Sequence, residues 1–130
     1  PTSDCVLLDI DNDGKEELVT ISPFHGNEIS IFKNYNGKFK KIYQYEKPLE
    51  FSHAIFGGML WGKQSVIIGH RDGNKDIIRF TFDNETNNYV TETIDKNIGS
   101  TNVFKFVRNN KDILVSCNRE INEIAMYSTI

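Results

Sequence analysis

Hydrophobic residues along this chain occur in short runs, and residues that favour turns separate the runs. The runs are rich in Ile, Val and aromatic side chains, which pack well on a pleated sheet and predict β-strands. The pattern therefore predicts an all-β protein. The strands predicted in this way span 5–8, 17–21, 28–32, 39–45, 53–56, 65–68, 76–80, 89–94, 102–107, 112–115 and 122–127.

The connections between these runs are short and polar. Segments 34–37 and 71–74 consist mostly of Asn, Gly and Asp, the residues that tight turns favour. The first 50 residues hold four strands that are joined by such turns. This spacing predicts an antiparallel meander, in which each strand pairs with the next one along the chain.

The same order of strands and turns recurs along the chain. The dipeptide Gly-Lys at 14–15 returns 48 residues later at 62–63, and Asn-Glu-Ile at 27–29 returns 95 residues later at 122–124. A period of this size with four strands in each unit is typical of β-propeller blades, which span roughly 40–50 residues. The single predicted domain, 1–130, then divides into units of about 1–50, 51–99 and 100–130, the last one truncated.

Composition supports the strands and excludes several classes of protein. The 130 residues include 16 Ile, 7 Val and 8 Thr but two Ala, which argues against a helix-rich fold. With 15 Lys and Arg against 18 Asp and Glu, the net charge is -3, so the basic excess of nucleic-acid-binding proteins is absent. No apolar run approaches the ~18 residues that suggest a spanning helix. We expect neither nucleic acid nor membrane as a partner.

The two cysteines are far apart in the sequence, at Cys5 and Cys117, and form no metal-binding spacing. We expect both to be small buried hydrophobic residues. A disulfide between them is an open alternative.

The strongest local motif is an acidic loop between the first two predicted strands. Asp9, Asp11 and Asp13 alternate with other residues, so that their side chains converge if the loop curls, and Gly14 permits a sharp turn. Hard oxygen ligands at this density suit calcium. The alternative is a turn held by Asp side chains without any metal, which is less favourable because clustered carboxylates repel one another.

Two further ligands follow from the spacing. The carbonyl of Lys15 would lie at the seventh position of the loop and Glu17 at the ninth. An EF-hand also needs a bidentate acid at the twelfth position, but Thr20 stands there, inside a predicted strand. The loop is therefore not an EF-hand.

The loop resembles the FG-GAP/VCBS β-propeller repeat, which carries D-x-D-x-D-G-x-x-[DE]-[LI] between the first two strands of a blade. Asp9, Asp11, Asp13, Gly14, Glu17 and Leu18 match that pattern, and the resemblance covers 5–21. It implies calcium-stabilised blades of four antiparallel strands. It also implies a role in adhesion or recognition and favours an extracellular or cell-surface location. Segments 57–62 and 105–110, one and two periods later, lack such acids, so we expect one calcium site.

Candidate chemistry outside this loop is sparse. His25 of the first unit and His53 and His70 of the second would form a sugar or metal pocket only if they meet at one rim of the fold. Arg71, next to His70, is a candidate contact for an anionic ligand. Polar turn residues and a strand start are the alternative interpretation. These four residues are the candidates for acid-base or substrate contacts if the protein is an enzyme.

The predicted units are too few for a complete ring. Propellers contain about 4–8 blades, whereas this sequence supplies two full units and three strands of another, about 2.7 blades. Further blades on a longer chain, self-association, or a non-propeller sandwich or open barrel would each resolve this. We expect a calcium-stabilised binding or scaffold module for carbohydrate or protein. The alternative is part of a propeller-fold enzyme that acts on sugars as a lyase or dehydratase.

Overall fold

The computed structural model describes residues 2–24 and 26–129, and these residues form eleven β-strands and no α-helix. The all-β prediction is confirmed. A short 3₁₀ turn at Arg119–Ile121 precedes the last strand. The strands are β1 (Asp4–Leu8), β2 (Glu17–Ser22), β3 (Glu28–Tyr35), β4 (Lys38–Gln44), β5 (Ser52–Leu60), β6 (Lys63–His70), β7 (Ile77–Asp83), β8 (Asn88–Asp95), β9 (Ser100–Arg108), β10 (Lys111–Asn118) and β11 (Glu123–Tyr127).

The strands form three separate antiparallel meanders, as their short connections predicted. The first sheet has the order β1-β2-β3-β4, the second β5-β6-β7-β8, and the third β9-β10-β11. No sheet closes on itself. Each sheet lies within one of the three predicted repeat units, and no strand crosses from one unit to another.

The three sheets stack in chain order, and an apolar core fills each of the two gaps between them. The second sheet lies in the middle, so its strand β6 is buried on both faces: Val66 and Ile68 belong to the first core, and Ile67 belongs to the second. The first core also contains Leu8, Ile10, Val19, Ile21, Ile29, Ile31, Leu49, Ile78 and Phe80. The second core also contains Ala54, Leu60, Ile77, Ile98, Val103 and Leu114.

Two glycines on the second sheet allow its neighbours to approach closely. A Cβ atom on Gly57 of β5 would lie 2.8 Å from Val6 Cγ2 of β1, and one on Gly69 of β6 would lie 2.5 Å from Ser100 Cβ of β9. Any larger residue would therefore push the sheets apart. The close approaches keep the second sheet tightly packed against both of its neighbours.

The outer strands differ from the central ones because solvent reaches them. β4 and β8 lie at sheet edges and are largely exposed, with Lys38, Lys40 and Lys41 on β4. Lysines on an edge strand oppose pairing with further strands. Within the described ranges, no helix is long and apolar enough to cross a membrane.

Both cysteines are free thiols, as the structure shows no disulfide between them. Cys117 is half-buried, whereas Cys5 is exposed. The expectation that both are buried is therefore wrong for Cys5. This residue lies on the side of the first sheet on which no other sheet of the described residues packs, so it stays exposed.

Candidate metal centre

The acidic loop between β1 and β2 is folded by its own aspartates. Asp9 accepts hydrogen bonds from the backbone N–H groups of Asp13, at 3.1 Å, and Gly14, at 2.9 Å. Asp13 in turn accepts one from the N–H of Lys15 at 2.8 Å. Gly14 has a φ of +88°, which permits the turn that these bonds require. The loop therefore curls around its carboxylates, as the alternating pattern predicted.

Glu17, the first residue of β2, is the fourth carboxylate of this cluster. Its side chain is fully buried, and its Oε2 accepts a hydrogen bond of 2.8 Å from the N–H of Ile10. Ligand atoms of Asp9, Asp11, Asp13 and Glu17 all lie within 4.8 Å of one another. Within 2–24 and 26–129, this is the one convergent group of acidic, His or Cys ligands. Sequence reasoning thus identified all four carboxylates.

Lys15, the remaining predicted ligand, is exposed and takes part in the loop through its backbone N–H. Its predicted role rests on its carbonyl oxygen rather than on its side chain. That role stays a prediction.

A lysine that the sequence interpretation missed lies inside the cluster. Lys33 of β3 pairs directly with Glu17 across the sheet. Its Nζ lies 2.7 Å from Asp11 Oδ2 and 3.1 Å from Glu17 Oε1, and it also contacts Asp13 Oδ2. The signal was available, because a β2–β3 hairpin in this register places position 33 opposite position 17. The apolar pattern predicts a strand that ends at residue 32, one position before Lys33, and therefore does not include this pairing.

The ammonium group only partly satisfies Glu17. The Lys33–Glu17 distance allows electrostatic attraction, yet Glu17 Oε1 lacks a well-aligned hydrogen bond among the described residues. Burial raises the pKa of Glu17 above its usual value, against the opposing effect of Lys33. A buried carboxylate oxygen without a full set of partners is costly, and a cation would relieve that cost.

Charge in the cluster is unbalanced. Hydrogen bonding to Lys33 lowers the pKa of Asp13, so that carboxylate stays ionised. Burial opposes the charge on Lys33, but its bonds to Asp11, Asp13 and Glu17 outweigh burial and raise the lysine pKa. Four carboxylates with one ammonium leave an excess of negative charge, which a divalent cation would neutralise.

The pKa of Tyr89, on β8 of the second sheet, depends on this negative charge. Burial raises the pKa of Tyr89 most, and the negative charges of Glu17 and Asp11 add to the effect. The folded state therefore holds the phenol neutral where the unfolded chain, with a tyrosine pKa of about 10, begins to ionise. Its contribution to stability is complete below that pH and is lost as the pH rises further.

We expect tyrosinate absorbance of the native protein to appear at higher pH than in the unfolded chain. Tyr89→Phe should reduce this difference between the native and the unfolded titration curves, because it removes a phenol whose pKa is raised. Tyr35→Phe is the matched control, since Tyr35 is exposed. A native titration curve that coincides with the unfolded one would contradict the environment assigned to Tyr89.

The second repeat replaces the acidic loop by a contact between sheets. Trp61 stands 48 residues after Asp13, in the turn from β5 to β6. Its backbone N–H donates to Asp112 Oδ2 at 2.9 Å, and its indole Nε1–H donates to the Asp112 carbonyl at 3.0 Å. The guanidinium of Arg79 lies 5.4 Å from the indole ring centre. This turn thus ties the second sheet to the third without carboxylates that converge on a cation.

His53, His70 and Arg71 each contact other parts of the chain. His25 lies outside the described residues. His53, at a bulge on β5, places its Nδ1 2.7 Å from the carbonyl oxygen of Thr101 on β9. Arg71 Nε donates to Glu120 at 3.1 Å, and its guanidinium stacks 4.5 Å from the centre of the Phe51 ring.

His70 uses both of its ring nitrogens within the fold. Nδ1 bonds to the carbonyl oxygen of Asp72 at 2.9 Å, and Nε2 accepts the N–H of Asp76 at 3.0 Å. An accepting Nε2 fixes the neutral tautomer with its proton on Nδ1. The imidazole, 2% exposed, therefore shapes the β6–β7 turn.

Replacement of His70 by Ala should lower the free energy of unfolding by about 1–3 kcal/mol, because buried backbone groups lose their partners. Urea denaturation measures this loss. His53→Ala is the comparison and should lose less, because His53 is only half-buried. Unchanged stability of His70→Ala would contradict the structural role.

Comparison with protein-family models and with curated proteins finds no match to this chain. The resemblance of the acidic loop to the FG-GAP/VCBS repeat therefore rests on the loop residues and on the 48-residue period.

Proposed function

We propose that the loop 9–17 binds one calcium ion and that the ion stabilises the first of three blade-like sheets in a scaffold or binding module. The observation that carries this proposal is the position of Glu17. Its carboxylate is fully buried, lies within 4.8 Å of the other three ligand groups and has one incompletely satisfied oxygen. Lys33 lies near this oxygen but leaves it without a hydrogen bond, and a bound metal ion would complete its set of partners.

The donor set favours calcium over other metals. All four side chains offer carboxylate oxygens, and neither His nor Cys takes part, which disfavours zinc and copper. Calcium accepts six to eight oxygen ligands in a flexible geometry, whereas magnesium demands a near-ideal octahedron. A curled loop with several carboxylates and the proposed Lys15 carbonyl suits the larger ion.

The ion would act as a structural clip rather than as a reagent. It would join the β1–β2 loop to the start of β2, next to Lys33 on β3, so its binding energy would add to the stability of the first sheet. Calcium and the Lys33 ammonium would compete for the same carboxylate oxygens. In this proposal Lys33 supports the loop when calcium is absent.

A binding or scaffold role is favoured over catalysis by the state of the candidate residues. Both ring nitrogens of His70 are engaged, Arg71 is paired with Glu120, and His53 bonds to β9. General acid-base catalysis needs a group that can reach a substrate proton. The sugar-enzyme alternative would need these three side chains to release their partners.

A cleft beside β6 and β7 is the place we propose for a ligand such as a saccharide. Its volume is about 310 Å³, and both polar and apolar residues line it. Asp76 lines this cleft, and its buried Oδ1 has no hydrogen-bond partner among the described residues, so a ligand hydroxyl that reached it would supply the missing bond. Other lining residues are Tyr45, Lys47, Glu50, His70 and Asn74. Chemical-shift changes of the Asp76 and Asn74 amides on addition of neutral or acidic saccharides test this; none would exclude the cleft.

Terbium luminescence tests the calcium proposal, because Tb³⁺ prefers the same oxygen ligands and emits when a nearby tyrosine is excited. The negative charges of Glu17 and Asp11 raise the pKa of Tyr89, so this ring lies near the acidic loop and should sensitise bound terbium. Calcium should quench the emission by displacement, and Tyr89→Phe should weaken it. Absence of sensitised emission from the folded wild-type protein would contradict a cation site in this loop.

A further inference from the structure

The first sheet has an apolar face on which no other sheet of the described chain packs. Ile55 and Val103, which are 48 residues apart, each face the preceding sheet, in the first and the second core respectively. We call the face that they define the leading face of a sheet. One period before Ile55, Leu7 lies on the leading face of the first sheet and is 52% exposed. The strand register aligns Leu7, Leu18 and Phe32 in one row across β1, β2 and β3.

The third sheet has an apolar face of the opposite kind, on which no other sheet of the described chain packs. Leu8 and Phe56, which are 48 residues apart, pack in the first and second cores against the sheet that follows, on what we call the trailing face. One period later, Phe104 lies on the trailing face of the third sheet and is 48% exposed. The register aligns Phe104, Val115 and Met126 in one row, and Met126 is 62% exposed.

The chain itself shows what each of these faces packs against. Val19 lies one period before Ile67 and two before Val115. A leading face packs against Val19 and Ile67 in the two cores, whereas Val115, itself only 3% exposed, belongs to neither core. A leading face meets a trailing face at both internal interfaces. The leading face of the first sheet and the trailing face of the third sheet are therefore the two halves of a third interface of the same type. One copy cannot form this interface with itself by adjacent stacking.

We propose that a second copy of this chain occupies these faces, head to tail, so that the trailing face of one copy packs on the leading face of the other. This contact is heterologous, and it closes into a ring only if the rotation between copies fits. Two copies bring together six sheets, which lies within the range of about 4–8 blades that propellers use. The proposal does not depend on the calcium site.

Single charges on each face test the proposal on the intact chain. Wild-type protein in sedimentation equilibrium should have about twice the monomer mass of 14.9 kDa. Leu7→Glu spoils the leading face and Phe104→Glu spoils the trailing face, so each change should at least weaken the association. Val90→Glu on the edge strand β8 is the matched control and should stay associated, since Val90 is exposed and belongs to the second sheet rather than to the leading face of the first or the trailing face of the third. Circular dichroism verifies that every variant remains folded.

Mixing the two face variants separates head-to-tail packing from a symmetric contact. Leu7→Glu keeps an intact trailing face and Phe104→Glu keeps an intact leading face, so an equimolar mixture should form a heterodimer through one restored interface. A symmetric contact would be disrupted by one of the two changes only, and the mixture would gain nothing. That result, or a wild-type monomer throughout the micromolar to millimolar range, would overturn the proposal.

Discussion

Removal of divalent cations with EDTA is expected to lower the midpoint of thermal unfolding on the order of 10 °C. Binding to the folded state alone contributes about 2.7 kcal/mol when the free ion exceeds its dissociation constant about 100-fold, and a chain of this size changes its midpoint by roughly 4 °C for each kcal/mol. The effect depends on Asp9, Asp11, Asp13 and Glu17. Circular dichroism during heating, with and without calcium, measures it.

Two variants of the same loop give this prediction its control. Asp11→Asn keeps the shape of the side chain but removes a ligand charge, so EDTA should no longer change its midpoint. Glu16→Gln removes an exposed charge that lies outside the ligand group, and its response to EDTA should equal that of wild type. An identical wild-type midpoint with and without calcium would remove the stabilising role of the ion.

Replacement of Lys33 by Met is expected to destabilise the calcium-free protein by about 3 kcal/mol. The side chains of Lys33, Asp11 and Glu17 are 11%, 13% and 0% exposed, and loss of one partner from a buried charge group leaves the others uncompensated. With calcium present the loss should be much smaller, because the ion supplies the missing positive charge. Urea unfolding in calcium and in EDTA measures both values.

The same substitution should increase calcium affinity, because no ammonium group has to leave the carboxylates. Lys41→Met is the matched control: Lys41 pairs with Glu28 on the surface, where solvent screens the pair and its contribution to stability is small. Equal losses for Lys33→Met in calcium and in EDTA would mean that the lysine and the ion do not share this site.

The strands were predictable because each of them carries its own local pattern. Short apolar runs and turn residues identified all eleven, and the structure extends several of them at polar ends. For β6, the prediction covered Ser65 to Ile68, whereas the strand runs from Lys63 to His70. The polar end residues pair in the ladder all the same, since backbone hydrogen bonds do not require an apolar side chain.

Contacts between elements were less predictable, because they depend on register and on stacking. Lys33 lies in the acidic cluster because the strand register places it opposite Glu17. Trp61 donates a hydrogen bond to Asp112, which belongs to a different sheet. His70 looked like a catalytic candidate from its residue type, yet its environment occupies both nitrogens. A blade and a sandwich layer share the same strand pattern, so the ring arrangement stays a proposal.

Calorimetric titration of the cation-free protein with calcium is the most direct test of the central proposal. We expect one ion per chain, weaker binding of magnesium, and no binding heat for Asp11→Asn under the same conditions. Competition with a chromogenic chelator would confirm the stoichiometry if the heat of binding is small. A folded wild-type chain that takes up no calcium by either method, up to millimolar free ion, would contradict the assignment of the Asp9–Glu17 cluster as a calcium site.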